Sequence, residues 1–316
     1  MLGYAVKRVA LAIPTILVVL FIVFALGYYG PLDPVKLEVR SLRNQQIYLT
    51  DEEIATLRHS WGLDRPLLVQ FGDYIKNLVL HGSLGEAYTS RESVLRLILF
   101  TLPVSGQIAL GAAVMIVFVG VPLGALAAKF HNTWPDYAIV GTSLFLRSVP
   151  IFVLAPMFLI LLVLKLDVMD VPRGYKGFTN PTTFLFVFLL ALNPLAVVIR
   201  QTRAGILEVL GNDYVRTAHA KGLTEWIVLT RHVLRNALIP VVTSTGLIVS
   251  GLITGSVFLD QMFNIPGFGR LFSGALSGRD FYVIYGSVIV VAIITTTTNL
   301  IVDLLYPVLD PRVTYG

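Results

Sequence analysis

Apolar positions in this chain fall in long uninterrupted runs, not in the alternation of half-buried strands. Each run is about as long as the roughly 20 helical residues needed to cross a hydrocarbon core of about 30 Å. Six such runs stand out, at residues 9–29, 97–128, 137–164, 178–199, 236–259 and 281–302. Backbone donors and acceptors find no water inside lipid, so the runs predict helices. A transmembrane β-barrel is excluded, because its strands alternate. The first run ends in Ala25-Leu26-Gly27, which looks like a cleavage site, yet it is longer than the roughly 7–15 residues of a signal-peptide core. It is read as a retained span.

Between the runs lie two organised polar segments. In residues 30–96, Thr50-Asp51-Glu52-Glu53 predicts a capping box at the head of a helix running to Trp61. Residues 66–79 carry Leu67, Leu68, Phe71, Tyr74, Ile75 and Leu78 at amphipathic spacing. This segment is a small ordered domain, either a cap on the membrane part or a docking surface and gate. Residues 200–235 predict an elbow. Asp213 to Ala220 form a short helix, Gly222 ends it by adopting positive φ, and Thr224 with Glu225 starts the next.

Composition then narrows the function. Of 316 residues, 55% are hydrophobic and 14% charged, against roughly 25% charged in a soluble domain. The net charge of +5 has no block dense enough for a phosphate-binding face, so nucleic acid is not a partner. Basic residues place the elbow, Lys7, Arg8 and Lys129 on one side of the membrane, which the positive-inside rule makes the cytoplasm, with both termini there. The absence of cysteine removes disulfides, thiolate metal sites and cysteine nucleophiles. The five histidines show no metal spacing, and no Gly-x-x-x-x-Gly-Lys-Ser/Thr phosphate loop occurs. The chain therefore carries no catalytic residue, metal or cofactor of its own.

Three groups of residues stand out inside or beside the spans. Arg147 is the one charge within a run, and placing it at the bilayer centre costs about 3 kcal/mol or more. It faces either a translocation path or carbonyls of a neighbouring helix, and Pro150 opens the helix beside it. Asn193, before Pro194, marks a break or hinge in the fourth span and a second path residue. Gly120 with Gly124, and Gly251 with Gly255, are small-xxx-small pairs for close helix packing.

The elbow also carries a resemblance. Asp213-Tyr214-Val215-Arg216-Thr217-Ala218-His219-Ala220-Lys221-Gly222-Leu223, followed by His232-Val233-Leu234-Arg235-Asn236-Ala237-Leu238-Ile239-Pro240, resembles the cytoplasmic loop of binding-protein-dependent ABC importer permeases. It is most similar to the oligopeptide/dipeptide/nickel branch. The family's Glu-Ala-Ala motif reads Arg216-Thr217-Ala218 here, without the glutamate, a departure usual in that branch. Gly62-Leu63-Asp64-Arg65-Pro66, Gly82-Ser83-Leu84-Gly85 (Ser83 where that branch usually has Asp), Phe263-Asn264-Ile265-Pro266-Gly267-Phe268-Gly269-Arg270 and Asp310-Pro311-Arg312 extend the likeness along the chain.

The resemblance implies an all-α membrane protein with six transmembrane helices, the type I ABC importer transmembrane fold, and a small external domain between helices 1 and 2. It divides the chain into an N-terminal helix (1–29), the external domain (30–96) and the importer domain (97–310), with a coupling loop at 200–235. Arg216, Thr217, Ala218, Lys221, Gly222 and Leu223 are the residues expected to couple to an ATPase, Ala218 and Gly222 by permitting close contact. The implied partners are a second homologous permease subunit, two ATP-binding subunits that hold ATP and Mg, an extracytoplasmic substrate-binding protein and the lipid bilayer of a bacterial or archaeal cytoplasmic membrane. The implied cargo is a di- or oligopeptide, with oligosaccharides, nickel complexes and glutathione as alternatives. Outside that family, an ion-coupled transporter or channel and an intramembrane enzyme are the competing classes. The first would need no docking elbow, and the second lacks paired catalytic groups at membrane depth.

Overall fold

A computed structural model describes residues 2–30, 34–44, 46–254 and 257–309. Gly255 and the Asp310-Pro311-Arg312 segment lie outside the described residues. The described chain is helical, and one isolated bridge, Glu86 with Ser93, is its sole β pairing.

The first long helix, α1, is Leu2–Tyr29. Three shorter ones follow: α2 (Pro34–Asn44), α3 (Asp51–Ser60) and α4 (Leu67–His81). The capping box at α3 is complete, since Thr50 Oγ1 accepts from the Glu53 amide and the Glu53 carboxylate accepts from the Thr50 amide. α4 ends at Gly82 with φ 62°. The segment is fastened to the membrane part by aromatic packing of Phe24, Phe71, Tyr74, Tyr88, Tyr282 and Tyr285. Asp280 adds a clasp, accepting from the Thr89 amide at 3.3 Å and the Val283 amide at 3.5 Å. Burial pushes its carboxyl above the usual carboxylate range.

Helix α5 (Val94–Lys129) and helix α8 (Pro181–Leu210) form the centre. Glycines let them approach: a Cβ on Gly120 would lie 2.9 Å from Val198, and one on Gly124 2.6 Å from the Ile199 carbonyl. Gly111 meets Val187 in the same way. These contacts advance together along both helices, so α5 and α8 run parallel. The intervening chain must therefore cross back.

That return is α6 (Trp134–Ser148) and α7 (Ile151–Leu159), continued by a π turn at Ile160–Lys165. The third span, expected at 137–164 with its helix opened at Pro150, is a broken one, bent by 103°. Pro150 disfavours the helical region for the residue before it, and Val149 is extended at ψ 121°. Five helical spans are long and apolar enough to cross, and the bent pair, counted as one span, makes six.

Two expectations are corrected. α8 continues to Leu210, well beyond residue 199, because Ile206 and Val209 pack in a third core cluster beneath the membrane part. Pro194 lies inside α8 without ending it, so Asn193 marks no break. Beyond α8 come α9 (Asp213–Ala220), α10 (Glu225–Ile227) with a π turn at Val228–Val233, α11 (Leu234–Ala237), α12 (Ile239–Thr254), α13 (Val257–Met262), α14 (Phe268–Gly278) and α15 (Phe281–Leu309). Arg8 pairs with Asp303 at 2.8 Å while Gly27 meets Tyr285, so α1 and α15 are antiparallel neighbours.

Candidate functional site

The elbow is built from its own small core. On α9, Val215 and Ala218 point inward, three residues apart, against Ile206, Val209, Val228, Val233, Ala237 and Ala128. Leu223 packs partly against the same cluster. The turn between is a left-handed helix end: Gly222 has φ 76°, its amide donates to the His219 carbonyl at 2.9 Å, and the Leu223 amide donates to the Ala218 carbonyl at 3.4 Å. Thr224 occupies the next N-cap position in extended conformation, but its side chain makes no capping bond. Asn236 Nδ2 donates to the Tyr214 hydroxyl at 2.9 Å, tying the two arms together. A Cβ on Gly205 would lie 2.7 Å from the Ala237 carbonyl, so the returning arm lies directly on α8.

This geometry divides the expected coupling residues. Arg216, Thr217, Lys221 and Gly222 are exposed. Ala218 is buried and Leu223 half-buried, so both shape the elbow from within and neither offers a contact face. A Cβ on Gly222 would meet nothing within 4 Å; its glycine answers a backbone requirement, and close approach inside this chain plays no part. The sequence reading passed over Trp226, which is 73% exposed beside Ile227 at 39%. An exposed tryptophan on a short rigid arm was legible as an anomaly only once burial was known.

A second feature stands beside the elbow. Asp136, 1% exposed, accepts from Arg203 Nε at 2.6 Å and from Arg203 Nη2 at 2.7 Å, and also from the Asn132 amide at 3.0 Å. His131 Nδ1 lies 2.9 Å from the same guanidinium. The two-pronged pair fixes the start of α6 to α8 one turn above Gly205–Ile206. Its partners are 67 residues apart in sequence, and no local pattern announces them.

The residues expected to line a path occupy different settings. Arg147 is exposed in the last turn of α6 and makes no ion pair among the described residues. Pro150 is exposed at the head of α7. Asn193 is half-buried within α8, and no hydrogen bond links it to Arg147. Gly251 is exposed, and among the described residues no neighbouring helix comes within 4 Å of a Cβ placed there, unlike at Gly120 and Gly124. Among the described residues no cluster of His, Cys, Asp and Glu could hold a metal ion.

The Phe263–Arg270 motif forms a tight structure around Asp260. This carboxylate is fully buried, and its Oδ2 lies 2.4 Å and 2.8 Å from where Cβ atoms on Gly267 and Gly269 would be. Ser105 Oγ accepts from the Phe268 amide at 2.8 Å, fastening the head of α14 to α5.

Residues 120–315 match the family model of the binding-protein-dependent transport system inner membrane component, and residues 1–109 match that of the N-terminal part of such membrane components. The chain belongs to this family of permeases. The permease is 36% identical over 321 residues to a putative peptide transport system permease protein of Brucella abortus (strain 2308), covering 100% of both chains. It is 34% identical to the dipeptide transport system permease protein DppB of Escherichia coli (strain K12), covering 99% of each. Among solved structures it resembles an inward-facing conformation of the MetNI methionine ABC transporter, with TM-score 0.53 and 15% identity over 67% of this chain and 97% of that one. That likeness shows the fold, the type I ABC importer transmembrane architecture. The permease is a multi-pass membrane protein and a component of a transport system.

Proposed function

We propose that this permease carries di- or oligopeptides into the cytoplasm by alternating access, driven by ATP hydrolysis in partner subunits. Full-length likeness to permeases named for peptide and dipeptide transport supports the cargo class. The observation that carries the mechanism is the braced elbow. It presents Arg216, Thr217, Lys221 and Gly222 on a short helix and turn whose inner face is packed shut. A loop that only joined two spans would need no core of its own.

In this reading the elbow docks on one ATP-binding subunit, which holds ATP and Mg. A second, homologous permease subunit pairs with this one, a second ATP-binding subunit serves that partner, and a binding protein delivers cargo on the opposite face. The elbow and both termini are cytoplasmic. Arg147 and Pro150 at the bend in the third span, and Asn193 on α8, line the path. Arg147 meets the carboxylate of the peptide. Trp226 joins the docking surface as its apolar anchor, since exposed tryptophans dominate protein interfaces when they are covered.

The test is reconstitution of the complex in proteoliposomes with the binding protein and labelled dipeptide. ATP-dependent uptake is expected. Trp226→Ala should weaken ATPase binding by about 30-fold, the equivalent of roughly 2 kcal/mol at an interface hot spot. Unchanged ATPase binding by that variant would remove Trp226 from the interface, and failure of any ATPase to copurify with the wild-type chain would sink the importer mechanism.

A further inference from the structure

The helix α4 sits lower than a domain outside the membrane should. Phe71 on α4 packs against Phe21 and Phe24 of α1, with ring centroids 5.2 Å and 5.4 Å apart. Tyr74, one turn on, packs against Tyr282 and Tyr285 of α15 at 6.0 Å and 5.7 Å. The span Val6–Tyr29, which includes Lys7 and Arg8, has 24 residues and is therefore about 36 Å long, about 6 Å more than the hydrocarbon core. Phe21 lies about 12 Å before Tyr29 along the axis, and Phe24 about 8 Å. Even if all the excess length projected at the Tyr29 end, Phe21 would sit about 6 Å inside the core and Phe24 about 2 Å inside it. The Phe71 ring, 5.2 Å and 5.4 Å from those two, lies within about 5 Å of that depth.

The sides of α4 agree with this placement. Leu67, Phe71, Tyr74, Ile75 and Leu78 pack inward against α1 and α15. Next to that side, Leu68 and Val79, three turns apart and on one line, are 71% and 74% exposed. Gly72 lies between them. The remaining side carries Asp73, Lys76 and Asn77, all exposed, together with Val69 and Leu80 at 47% and 64% exposure; Arg65, just before the helix, bonds Asp73 through Nη1 at 2.9 Å. An apolar arc wider than the protein covers, opposed by the side that holds the helix's charged residues, is the pattern of a helix lying in the plane of a membrane interface. Ile22 and Leu26 on the neighbouring α1 are also exposed, so the lipid-facing surface of a span continues into the uncovered edge of α4.

We propose that α4 is embedded in the leaflet at the Tyr29 end of α1, with Leu68 and Val79 among acyl chains and Arg65, Asp73, Lys76 and Asn77 at the water. The segment between the first two spans is then held by lipid as well as by aromatic packing.

The chain has no cysteine, so Leu68→Cys, Val79→Cys and Asn77→Cys each give a single spin-label site on the full chain, with its copurified partners, in phosphatidylcholine–phosphatidylglycerol nanodiscs. Collision with oxygen relative to a water-soluble nickel chelate should be several-fold higher at 68 and 79 than at 77. Access of the chelate to 68 and 79 equal to that at 77 overturns the proposal in favour of a solvent-facing helix. Shielding of 68 and 79 from both reagents overturns it in favour of a protein partner. A label-free measurement covers misfolding of the labelled chains. The double variant Leu68→Asp, Val79→Asp should raise amide exchange in α4 within nanodiscs, whereas unchanged exchange would show that lipid does not hold this edge.

Discussion

Replacing Gly222 separates what its backbone requires from what its surroundings permit. Its φ of 76° lies in the left-handed region, where an L side chain costs roughly 1–2 kcal/mol. No atom lies within 4 Å of a Cβ built there, so no clash inside this chain adds to that figure. Gly222→Ala is therefore expected to lower the population of the intact turn by about 5- to 30-fold relative to its opened forms. Gly222→Asn should lose much less, because Asn tolerates this conformation. Gly222→Leu should match Ala in the isolated permease. In the reconstituted complex it should be worse than Ala, because its side chain points where a docked subunit would lie. The assays are hydrogen exchange of residues 213–224 and the ratio of dipeptide taken up to ATP hydrolysed. All three variants should insert normally. Equal behaviour of Ala and Asn would refute the conformational argument. Normal coupling in Gly222→Leu would refute docking at this turn.

Three further outcomes follow from the packing. Arg203→Leu leaves the buried Asp136 carboxylate without its cation, which should cost about 3 kcal/mol, the low end for a buried pair because Arg203 itself is 24% exposed; thermal unfolding in detergent reads it, and a variant within about 1 kcal/mol of wild type would show the pair to be solvated. Gly269→Ala places a methyl 2.7 Å from Val257 Cα and 2.8 Å from the Asp260 carboxylate, so the loop before α14 should loosen, seen as faster exchange at residues 264–270, while Gly274→Ala, which meets nothing within 4 Å, should be silent. The Asp280 carboxyl holds its proton more tightly folded than unfolded, so its stabilising contribution is complete below 3.8 and is lost as pH rises through its raised folded value; Asp280→Asn should flatten that decline in protection of residues 87–91, and an unchanged slope would assign it to another group.

The elements that sequence made legible are those fixed by neighbouring residues. The capping box needs only Thr50 and Glu53, and the left-handed turn needs only Gly222 after a short helix, so both appear where expected. Features set by distant partners were not legible. The end of α8 follows from Ile206 and Val209 meeting the returning arm of the elbow, not from the edge of the lipid. Pro150 announced a disturbance in the third span, but the 103° bend depends on the helices packed around it. Ala218 sits in a contact motif, yet its small side chain faces inward beside Val215, a direction that only the packing of α9 on the arm decides. Asp136 and Asp260 were missed because each is a lone acid near the end of an apolar run, indistinguishable in sequence from a solvated one.

The unbroken length of α8 also has a mechanical meaning. Thirty residues make a stiff rod of about 45 Å, gripped at one end by the elbow and by the Arg203–Asp136 pair. A tilt of about 5° imposed at that end swings the far end, near Pro181, through about 4 Å. Pro194 weakens the rod without jointing it. The leverage is therefore present before any partner arrives. In the proposed function, the docked subunit would supply a push of small amplitude at the elbow, and the helix would deliver it, enlarged, to the opposite face.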